Sequence, residues 1–411
     1  AFQFCVANLD DGDRFEDIRF STETEALFDG MKKANSKNRK MAIDFIKDMK
    51  PIGGTAINAA LAEALALKPE GDRPFVVIFL TDGRPTIGIT SENEIVKNVE
   101  KAAGKTRVFS FGIGTDVNAH LLDKITEETR ASSQYVTPNE DIEVKISSFY
   151  TKIKEPVLAN PKLKFPDGIR VSKLYPNPLP DLFKGEEIVL VGRYDKAGKG
   201  DVLLDGTVNG KQAQSEFGVK FPAEADRDFI PRLWATRRVG YLLDEIRLHG
   251  EKAELKDEVT QLARKYGIVT PYTAYLIIED EKRRGVPVAV RTLRNFEADR
   301  EVLEQAKAQF HAFKKDKSGD QAIGSARAAK FLKEAKNAQS AYRLSNAEAG
   351  QSLGGYAGGR GKLSVPASAA PGGFIVPGRK GANGQHGRAR QVVQPMQFYG
   401  GKNFCQNEKF W

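Results

Sequence analysis

The chain has 411 residues, of which 63 are Lys or Arg and 54 are Asp or Glu, so its formal net charge is +9. This length allows two to four domains, and a content of 40% hydrophobic and 28% charged residues is typical of a globular protein. No apolar run approaches the roughly 20 residues that a membrane-spanning helix needs. The two cysteines, Cys5 and Cys405, exclude a disulfide-rich scaffold and a zinc site built from cysteines.

The charge is unevenly distributed along the chain. Residues 281–411 carry 23 basic and 10 acidic side chains, whereas residues 1–280 carry 40 basic and 44 acidic ones. The net positive charge therefore lies in the C-terminal third, and the rest of the chain has no excess of basic residues.

Both ends of the sequence suggest a fragment of a longer protein. Ala1–Leu9 has apolar residues at three- and four-residue spacing, as in the last turns of an amphipathic helix, but no capping residue precedes it. The other end, Trp411, directly follows an aromatic, strand-like run. We therefore expect truncation at both ends, and no signal peptide is visible.

Strand-like and helix-like segments alternate over residues 1–155. Pro74–Leu80 is a continuous apolar run, as expected of a strand that is covered on both faces. The alternation predicts βαβ units and a doubly wound α/β fold around a parallel sheet. The predicted strands are Phe15–Ser21, with a short return at Glu25–Phe28, then Pro74–Leu80, Arg107–Ile113 and Gln134–Thr137; the predicted helices are Arg39–Met49, Thr55–Leu67 with Thr55 as its N-cap, Asn93–Ala103, Asn118–Arg130 and Asp141–Lys154.

Two loops at the expected ligand-binding edge of this sheet carry oxygen ligands. Ligands of such sheets bind beyond the carboxyl ends of the strands. Thr55 follows Gly53 and Gly54 at the start of a helix, and Asp82 follows a strand and precedes Gly83. A hydroxyl and a carboxylate suit Mg²⁺, but Thr before a helix is also a common cap, and Asp-Gly after a strand is also a common turn. Spacing alone leaves both interpretations open.

Other kinds of site lack their motifs. The sequence has no G-x-x-x-x-G-K-[ST] phosphate loop, no G-x-S-x-G nucleophile elbow and no H-E-x-x-H zinc motif. The run Gly112-Ile113-Gly114-Thr115-Asp116 lacks the third glycine of a dinucleotide fingerprint, so we interpret it as a turn into the next helix. No nucleophile and base pair stands out, and we expect no enzymatic activity.

Four segments in register resemble a von Willebrand factor type A domain: FEDIRFSTETEALF, IGGTAINAALAEAL, FVVIFLTDGRPT and VFSFGIGTDVNAHLLDKI. The resemblance is closest to the type found in inter-alpha-trypsin inhibitor heavy chains and their bacterial relatives, and the low cysteine content fits a bacterial source. It continues through Phe229–Asp280, which is similar to the helix-and-strand segment that follows the A domain in that family.

The resemblance implies a metal-ion-dependent adhesion site, in which a D-x-S-x-S loop, a Thr and an Asp hold Mg²⁺ and the partner supplies a carboxylate. Thr55 and Asp82 match the family's Thr and Asp, whereas the D-x-S-x-S loop has no counterpart in this chain. It would lie upstream of Ala1, on a strand between Phe15–Ser21 and Pro74–Leu80. We therefore expect a gap in the sheet and weak or absent Mg²⁺ binding by this chain. The neighbouring partner-binding positions are Gly53, Gly54, Gly83 and Arg84.

Residues 156–280 change character and predict a β-rich domain. Short segments with strand-like alternation are separated by Pro, Gly, Asn and Asp, as in a small antiparallel sheet or sandwich. Two amphipathic helices follow, and Tyr272–Ile278 predicts a strand that returns to the β region. The predicted strands of the sheet are Lys162–Phe165, Arg170–Leu174, Glu187–Tyr194, Asp201–Val208 and Gln214–Phe221.

Two further regions complete the chain. Residues 281–346 predict a charged, solvated helical hairpin or extension with a break at Lys314–Asp320. Residues 347–411 hold 14 glycines and four prolines, which predicts a basic, flexible linker. Its aromatic end, MQFYGGKNFCQNEKFW, predicts a short hairpin around Gly400-Gly401.

The resulting functional hypothesis is a non-enzymatic, Mg²⁺-dependent protein-interaction or adhesion module that is secreted or at the cell envelope. Its partner is a protein that offers an acidic side chain, with no small-molecule substrate and no membrane span in this chain. Two alternatives stay open. The basic tail could bind RNA or an anionic surface, or the chain could serve as an accessory subunit of an ATPase complex.

Overall fold

The computed structural model describes residues 2–50, 53–67, 74–153, 156–208, 210–223, 227, 229–268, 270–285 and 300–337, together with four short strands between residues 373 and 405. The chain divides into two compact units. The first comprises residues 1–223 and 317–323, and the second comprises residues 224–316 and 324–411. The four predicted domains, residues 1–155, 156–280, 281–346 and 347–411, stay a prediction.

The described elements alternate in type through the first unit and are helical in most of the second. The helices are α1 (Phe2–Ala7), α2 (Ser36–Lys47), α3 (Ile57–Ala66), α4 (Glu92–Ala103), α5 (Ala119–Glu128), α6 (Ile142–Ile153), α7 (Phe229–His249), α8 (Ala253–Tyr266), α9 (Pro271–Arg283), α10 (Arg300–Lys315) and α11 (Asp320–Lys333). The strands of the first unit are β1 (Arg14–Phe15), β2 (Ile18–Phe20), β3 (Thr24–Ala26), β4 (Lys32–Lys33), β5 (Val76–Thr81), β6 (Arg107–Ile113), β7 (Ser133–Val136), β8 (Pro156–Lys164), β9 (Val171–Tyr175), β10 (Leu182–Phe183), β11 (Val191–Tyr194), β12 (Gly198–Val208) and β13 (Lys211–Phe221). Four more strands are β14 (Gly373–Val376), β15 (Arg390–Val393), β16 (Met396–Tyr399) and β17 (Lys402–Cys405).

The parallel sheet predicted from the sequence is present, with strand order β5-β6-β7. Strand β6 is buried along nearly its whole length because helices cover it. Phe109 and Phe111 of this strand pack against Phe149 of α6, at ring-centroid distances of 5.1 and 4.9 Å. The same cluster takes in Cys5 of α1. This confirms the doubly wound α/β class.

The segment Phe15–Ser21, predicted as one strand, forms two. Strand β1 pairs with β4, and β2 forms a separate antiparallel hairpin with the predicted return strand β3. Within the described residues, β2-β3 and β5-β6-β7 are two sheets without a ladder between them, although Phe20 stacks on Phe79 at 5.4 Å. The stack brings β2 and β5 together through side chains rather than backbone hydrogen bonds.

Thr55 is not the N-cap of the following helix, contrary to the sequence expectation. Helix α3 begins at Ile57, and the capping position is Ala56, which makes no side-chain cap hydrogen bond. Thr55 is therefore not needed to cap α3.

Helix α2 begins three residues earlier than predicted because the side chain of Asn35 accepts a hydrogen bond from the Asn38 N–H at 2.9 Å.

The β-rich region of the first unit is antiparallel, as predicted. Its larger sheet has the order β10-β8-β12-β13, and β9 pairs with β11. Arg107, at the start of β6, donates from Nε to Asp181 Oδ2 at 2.8 Å and from a terminal nitrogen to Asn160 at 2.7 Å. These buried bonds join the parallel sheet to the antiparallel region.

The predicted returning strand at Tyr272–Ile278 is wrong, because these residues lie in α9. Pro271 occupies the first turn of the helix, where its missing N–H costs nothing. The Thr270 hydroxyl accepts from the Thr273 N–H at 3.1 Å, and the Thr273 hydroxyl accepts from the Thr270 N–H at 2.8 Å. This reciprocal cap fixes the start of a helix despite the apolar run that follows it.

The predicted solvated hairpin of residues 281–346 has the right helices and break but the wrong environment. Helices α10 and α11 flank residues 316–319, as expected. Phe310 and Phe313 are buried, and their rings lie 5.0 Å from Tyr275 and 4.5 Å from Tyr272, both in α9. The apolar face of α10 therefore packs in the core of the second unit instead of facing solvent.

Most of residues 347–411 lie outside the described residues, as do 286–299 and 338–346. The predicted hairpin around residues 400–401 is confirmed, since β16 pairs with β17 in antiparallel register; β14 pairs with β15 in the same way. Among the described helices, none combines the length and the apolar character that crossing a membrane requires.

Candidate functional site

The two loops predicted to carry the site residues meet at the carboxyl end of β5. Asp82 and Gly83 directly follow the last residue of that strand. A Cβ atom added to Gly83 would lie 2.9 Å from Thr55 Oγ1. Any side chain at position 83 would therefore displace the Thr55 hydroxyl, and the absence of one lets the two loops touch.

The backbone around Thr55 is held by neighbouring loops. The Thr55 N–H donates to Thr86 Oγ1 at 2.8 Å, and the Thr55 carbonyl accepts from the Thr86 N–H at 3.0 Å. The Gly54 N–H donates to Thr22 Oγ1 at 3.1 Å. Gly53 has φ +98°, and a Cβ there would lie 2.6 Å from Thr22 Oγ1, so glycine is required. The backbone bonds leave the Thr55 hydroxyl available for a ligand.

Asp82 is exposed, and its carboxylate accepts no hydrogen bond from any residue that the structure describes. The next two residues are more constrained. The Gly83 N–H donates to Thr81 Oγ1 at 3.3 Å, and Arg84 donates from Nε to the Asp116 carbonyl at 3.1 Å. Arg84, predicted as a partner-binding residue, therefore also ties the β5 loop to the loop after β6.

These residues fit part of a Mg²⁺ site. A hydroxyl and a carboxylate are the hard oxygen donors that Mg²⁺ takes, and the close approach of Gly83 to Thr55 places the loop that carries Asp82 next to the Thr55 hydroxyl. Octahedral coordination needs six ligands, so two protein oxygens would leave the rest to water or to other groups. The donor set supports a metal site that Thr55 and Asp82 complete only together with further ligands.

Sequence analysis missed a polar cluster around Glu92, at the start of α4. The Glu92 carboxylate accepts from Asn118 Nδ2 at 2.7 Å, from Lys317 Nζ at 2.8 Å and from His120 Nδ1 at 2.8 Å. Since an ionised carboxylate only accepts, the histidine bond places the proton on Nδ1. Burial alone would raise the pKa of Glu92, but the hydrogen bonds from His120, Asn118 and Lys317 outweigh it and lower the pKa to about 2.

The cluster fixes the loop that follows β6. The Lys317 carbonyl accepts from the His120 N–H at 3.3 Å, and the Gly319 N–H donates to the Thr115 carbonyl at 2.8 Å. This loop also contains Asp116, the acceptor for Arg84. Residues 317–319 therefore hold the loop that lies next to the Asp82 loop. The partners are about 200 positions apart in the sequence, and no local pattern could have predicted the contact.

Comparison with known proteins agrees with the sequence resemblance. Residues 1–134 match the family model described as von Willebrand factor type A domain. Inter-alpha-trypsin inhibitor heavy chain H2 of Sus scrofa is 28% identical in a match that covers 68% of this chain and 32% of that protein. Heavy chain H4 of Homo sapiens is 27% identical in a match that covers 72% of this chain and 34% of that protein.

A solved von Willebrand factor type A structure from Catenulispora acidiphila is 16% identical, with 67% of this chain and 76% of that one covered. The TM-score of the match is 0.48. The chain spans about a third of the length of the curated relatives that it matches. Residues 1–134 are a von Willebrand factor type A domain, and the chain is a homologue of the inter-alpha-trypsin inhibitor heavy chains.

Proposed function

We propose that this chain is a non-enzymatic protein-interaction module whose A domain binds an acidic side chain of a protein partner through Mg²⁺. The observation that supports the proposal is the contact between the Thr55 hydroxyl and Gly83, beside the exposed Asp82 at the carboxyl end of β5. This contact brings two oxygen donors to the edge of the sheet where such folds bind ligands.

In this proposal, Thr55 and Asp82 hold the ion, and a D-x-S-x-S loop in the native protein, upstream of Ala1, supplies the remaining protein ligands. When bound, Mg²⁺ supplies an open coordination position for a carboxylate of the partner. The proposed partner-binding positions Gly53, Gly54 and Gly83 are closely packed, and a side chain at any of them would clash with a neighbouring loop. Arg84 is exposed, and its charge favours a carboxylate at the site.

The first experiment is the intact mass and N-terminal sequence of the native protein. A longer product that carries D-x-S-x-S supports the proposal. A native start at Ala1 contradicts it, because the proposed ligand set includes the D-x-S-x-S loop.

Calorimetric titration then tests the ligands directly. We expect the chain as given to bind Mg²⁺ weakly or not at all, so micromolar affinity would contradict the predicted ligand set. In the native protein, Thr55→Ala and Asp82→Ala should each abolish binding. Asp167→Ala, which removes an exposed carboxylate in the antiparallel region, is the matched control and should leave the affinity unchanged.

The location and partner follow from the same proposal. A module that presents a metal-bound docking position to other proteins acts where its partner is exposed, and we propose a secreted or cell-envelope protein. Fractionation of the source cells, with detection of the chain in the medium and envelope fractions, tests this. Recovery from the cytoplasm alone would contradict it.

A further inference from the structure

One segment of the A domain has a concentration of positive charge that the fold does not use. Residues 31–50 contain seven basic and two acidic side chains, within a region, residues 1–280, in which acidic residues outnumber basic ones. Six lysines of this segment are exposed, and none forms an ion pair with any described residue. They are Lys32, Lys33, Lys37, Lys40, Lys47 and Lys50, and we call them the lysine patch.

The way α2 packs explains why the lysine patch faces outward. Ala42 is fully buried, and Ile43 and Ile46 pack around it in a cluster that also holds Phe15. The opposite face of the helix carries Lys37, Lys40 and Lys47. The other three lysines of the patch flank the helix, two in β4 and one after its end. Arg39 is the exception: it bonds to the Leu9 carbonyl and, at 2.6 Å, to Asp11 Oδ1. The one arginine of the segment thus has a structural role, whereas the lysines have none.

Two apolar side chains lie among these charges. Met41 and Met49 are 42% and 51% exposed. The aromatic ring of the helix, Phe45, is covered by the Arg19 guanidinium, which lies 4.2 Å from the ring centroid. The surface therefore offers point charges and flexible thioethers, and its one ring has a partner already.

The lysine patch is continuous with the candidate metal site along the chain. Lys50 is three positions before Gly53 and five before Thr55. Three residues span at most about 11 Å, and the 12-residue helix α2 extends the patch by about 18 Å. A partner whose carboxylate binds at the candidate metal site therefore has Lys50, the end of the lysine patch nearest that site, within reach.

We propose that the lysine patch, with Met41 and Met49, docks an acidic amphipathic segment of the protein partner. The inference rests on the proposed function and gives it a second contact. The six unpaired lysines complement carboxylates along such a segment, and the two methionines complement its apolar face, because thioethers adapt to varied apolar surfaces.

Nucleic acid fits this surface less well. Base stacking needs exposed rings, and the bidentate recognition of phosphate favours arginine over lysine. The patch offers neither, since Phe45 and Arg39 are engaged within the domain.

Fluorescence anisotropy with labelled probes tests the proposal on the full chain. The probe is a 21-residue helical peptide of Glu and Leu with one acidic and one apolar face. We expect binding that weakens about tenfold when NaCl is raised from about 50 to about 300 mM. A 20-nucleotide single-stranded RNA and the matching Lys and Leu peptide should bind at least about tenfold more weakly than the acidic peptide.

Charge reversal locates the binding surface. The triple variant Lys37→Glu, Lys40→Glu, Lys47→Glu should lose at least about tenfold in affinity. The matched control is the triple variant Lys199→Glu, Lys211→Glu, Lys220→Glu. It makes the same charge change at exposed, unpaired lysines of β12 and β13 and should lose less than about threefold.

A second measurement does not depend on how the variants fold. Acetylation of the unaltered protein, read by mass spectrometry, should show the peptide protecting Lys37, Lys40 and Lys47 but not Lys199. Equal protection at all four, equal loss in the two triple variants, or preferential RNA binding would overturn the inference. Failure of the metal proposal has a different signature: peptide binding stays intact while the native protein binds no Mg²⁺, or binds it with an affinity that Asp82→Ala leaves unchanged.

Discussion

Replacing Glu92 by Gln tests whether the polar cluster on the loop after β6 stabilises the A domain through charge. The substitution keeps the size of the side chain but removes the negative charge that Asn118, His120 and Lys317 share. The Glu92 side chain is 12% exposed, so water replaces these partners poorly. We expect Glu92→Gln to destabilise the first unit at neutral pH.

The magnitude follows from the pKa of this carboxyl. The cluster lowers the pKa from 4.5 to about 2. A change of one in pKa corresponds to about 1.4 kcal/mol, which gives an upper value of about 3 kcal/mol. Lys317 is 54% exposed, so solvent screens one of the three contacts, and about 2 kcal/mol is therefore expected at pH 7. Because the folded-state pKa is depressed, this stabilisation is present above pH 4.5 and is lost as the pH falls from about 4.5 to about 2.

Amide hydrogen exchange of the peptide that covers Arg107–Ile113 reads the stability of the first unit. A loss of about 2 kcal/mol should speed exchange about 30-fold at pH 7, and the difference from the unaltered protein should shrink below pH 4.5. Glu94→Gln is the matched control, since Glu94 is exposed and lies in the same first turn of α4. Equal effects of the two variants, or a pH-independent effect of Glu92→Gln, would refute the role of the cluster and leave only a general helix-dipole contribution.

Three further substitutions test packing and capping. Asp181→Ala leaves the buried Arg107 without its carboxylate and should cost about 3–5 kcal/mol, measured as a lower urea midpoint of the first unit. Gly240→Ala places a Cβ 2.7 Å from the backbone nitrogen of Lys333 and should cost about 1–3 kcal/mol. The readout is the urea midpoint followed by the fluorescence of the buried tryptophan of α7, and an unchanged midpoint would mean that α7 and α11 separate freely at this position. Thr270→Val removes the reciprocal cap of α9 and should cost about 1 kcal/mol by the same readout, while Thr270→Ser should restore most of it.

Elements with a strong local pattern could be predicted from the sequence. Strand β6 was predicted with its observed bounds, because a short segment rich in aromatic and β-branched residues between polar turns has few alternatives. Helices α4 and α5 were predicted within two residues at each end. The larger errors came where tertiary contacts decide the outcome, as at Thr55, which precedes the capping position Ala56 and whose N–H donates to Thr86 Oγ1.

The misassigned segment Tyr272–Ile278 shows two local signals in conflict. Aromatic and β-branched residues favour a strand, whereas Thr270, Pro271 and Thr273 form a helix start. The reciprocal cap satisfies two backbone N–H donors at once, and the aromatic rings find partners on α10. A strand would have needed an adjacent sheet edge, so packing between helices overrides the strand propensity.

The candidate site was predictable only in part. Thr55 and Asp82 could be proposed because both follow from where strands end and helices begin. The contact that brings them together depends on Gly83, whose lack of a side chain matters only once the two loops are adjacent. The Glu92 cluster depends on a lysine more than 200 residues away and has no signature in any local window.

The cations of the second unit and the lysines of α2 differ in whether they form ion pairs within the fold. In the second unit, Lys256 lies 2.7 Å from Glu279, and Arg264 lies 2.6 Å from Asp280. On α2, Lys37 and Lys40 lie three positions apart and form no ion pair with a described carboxylate. Like charges at this spacing destabilise a helix by a few tenths of a kcal/mol. Because these lysines form no described ion pair within the fold, their clustering in the segment that leads to the candidate site supports the proposal that they contact an acidic partner.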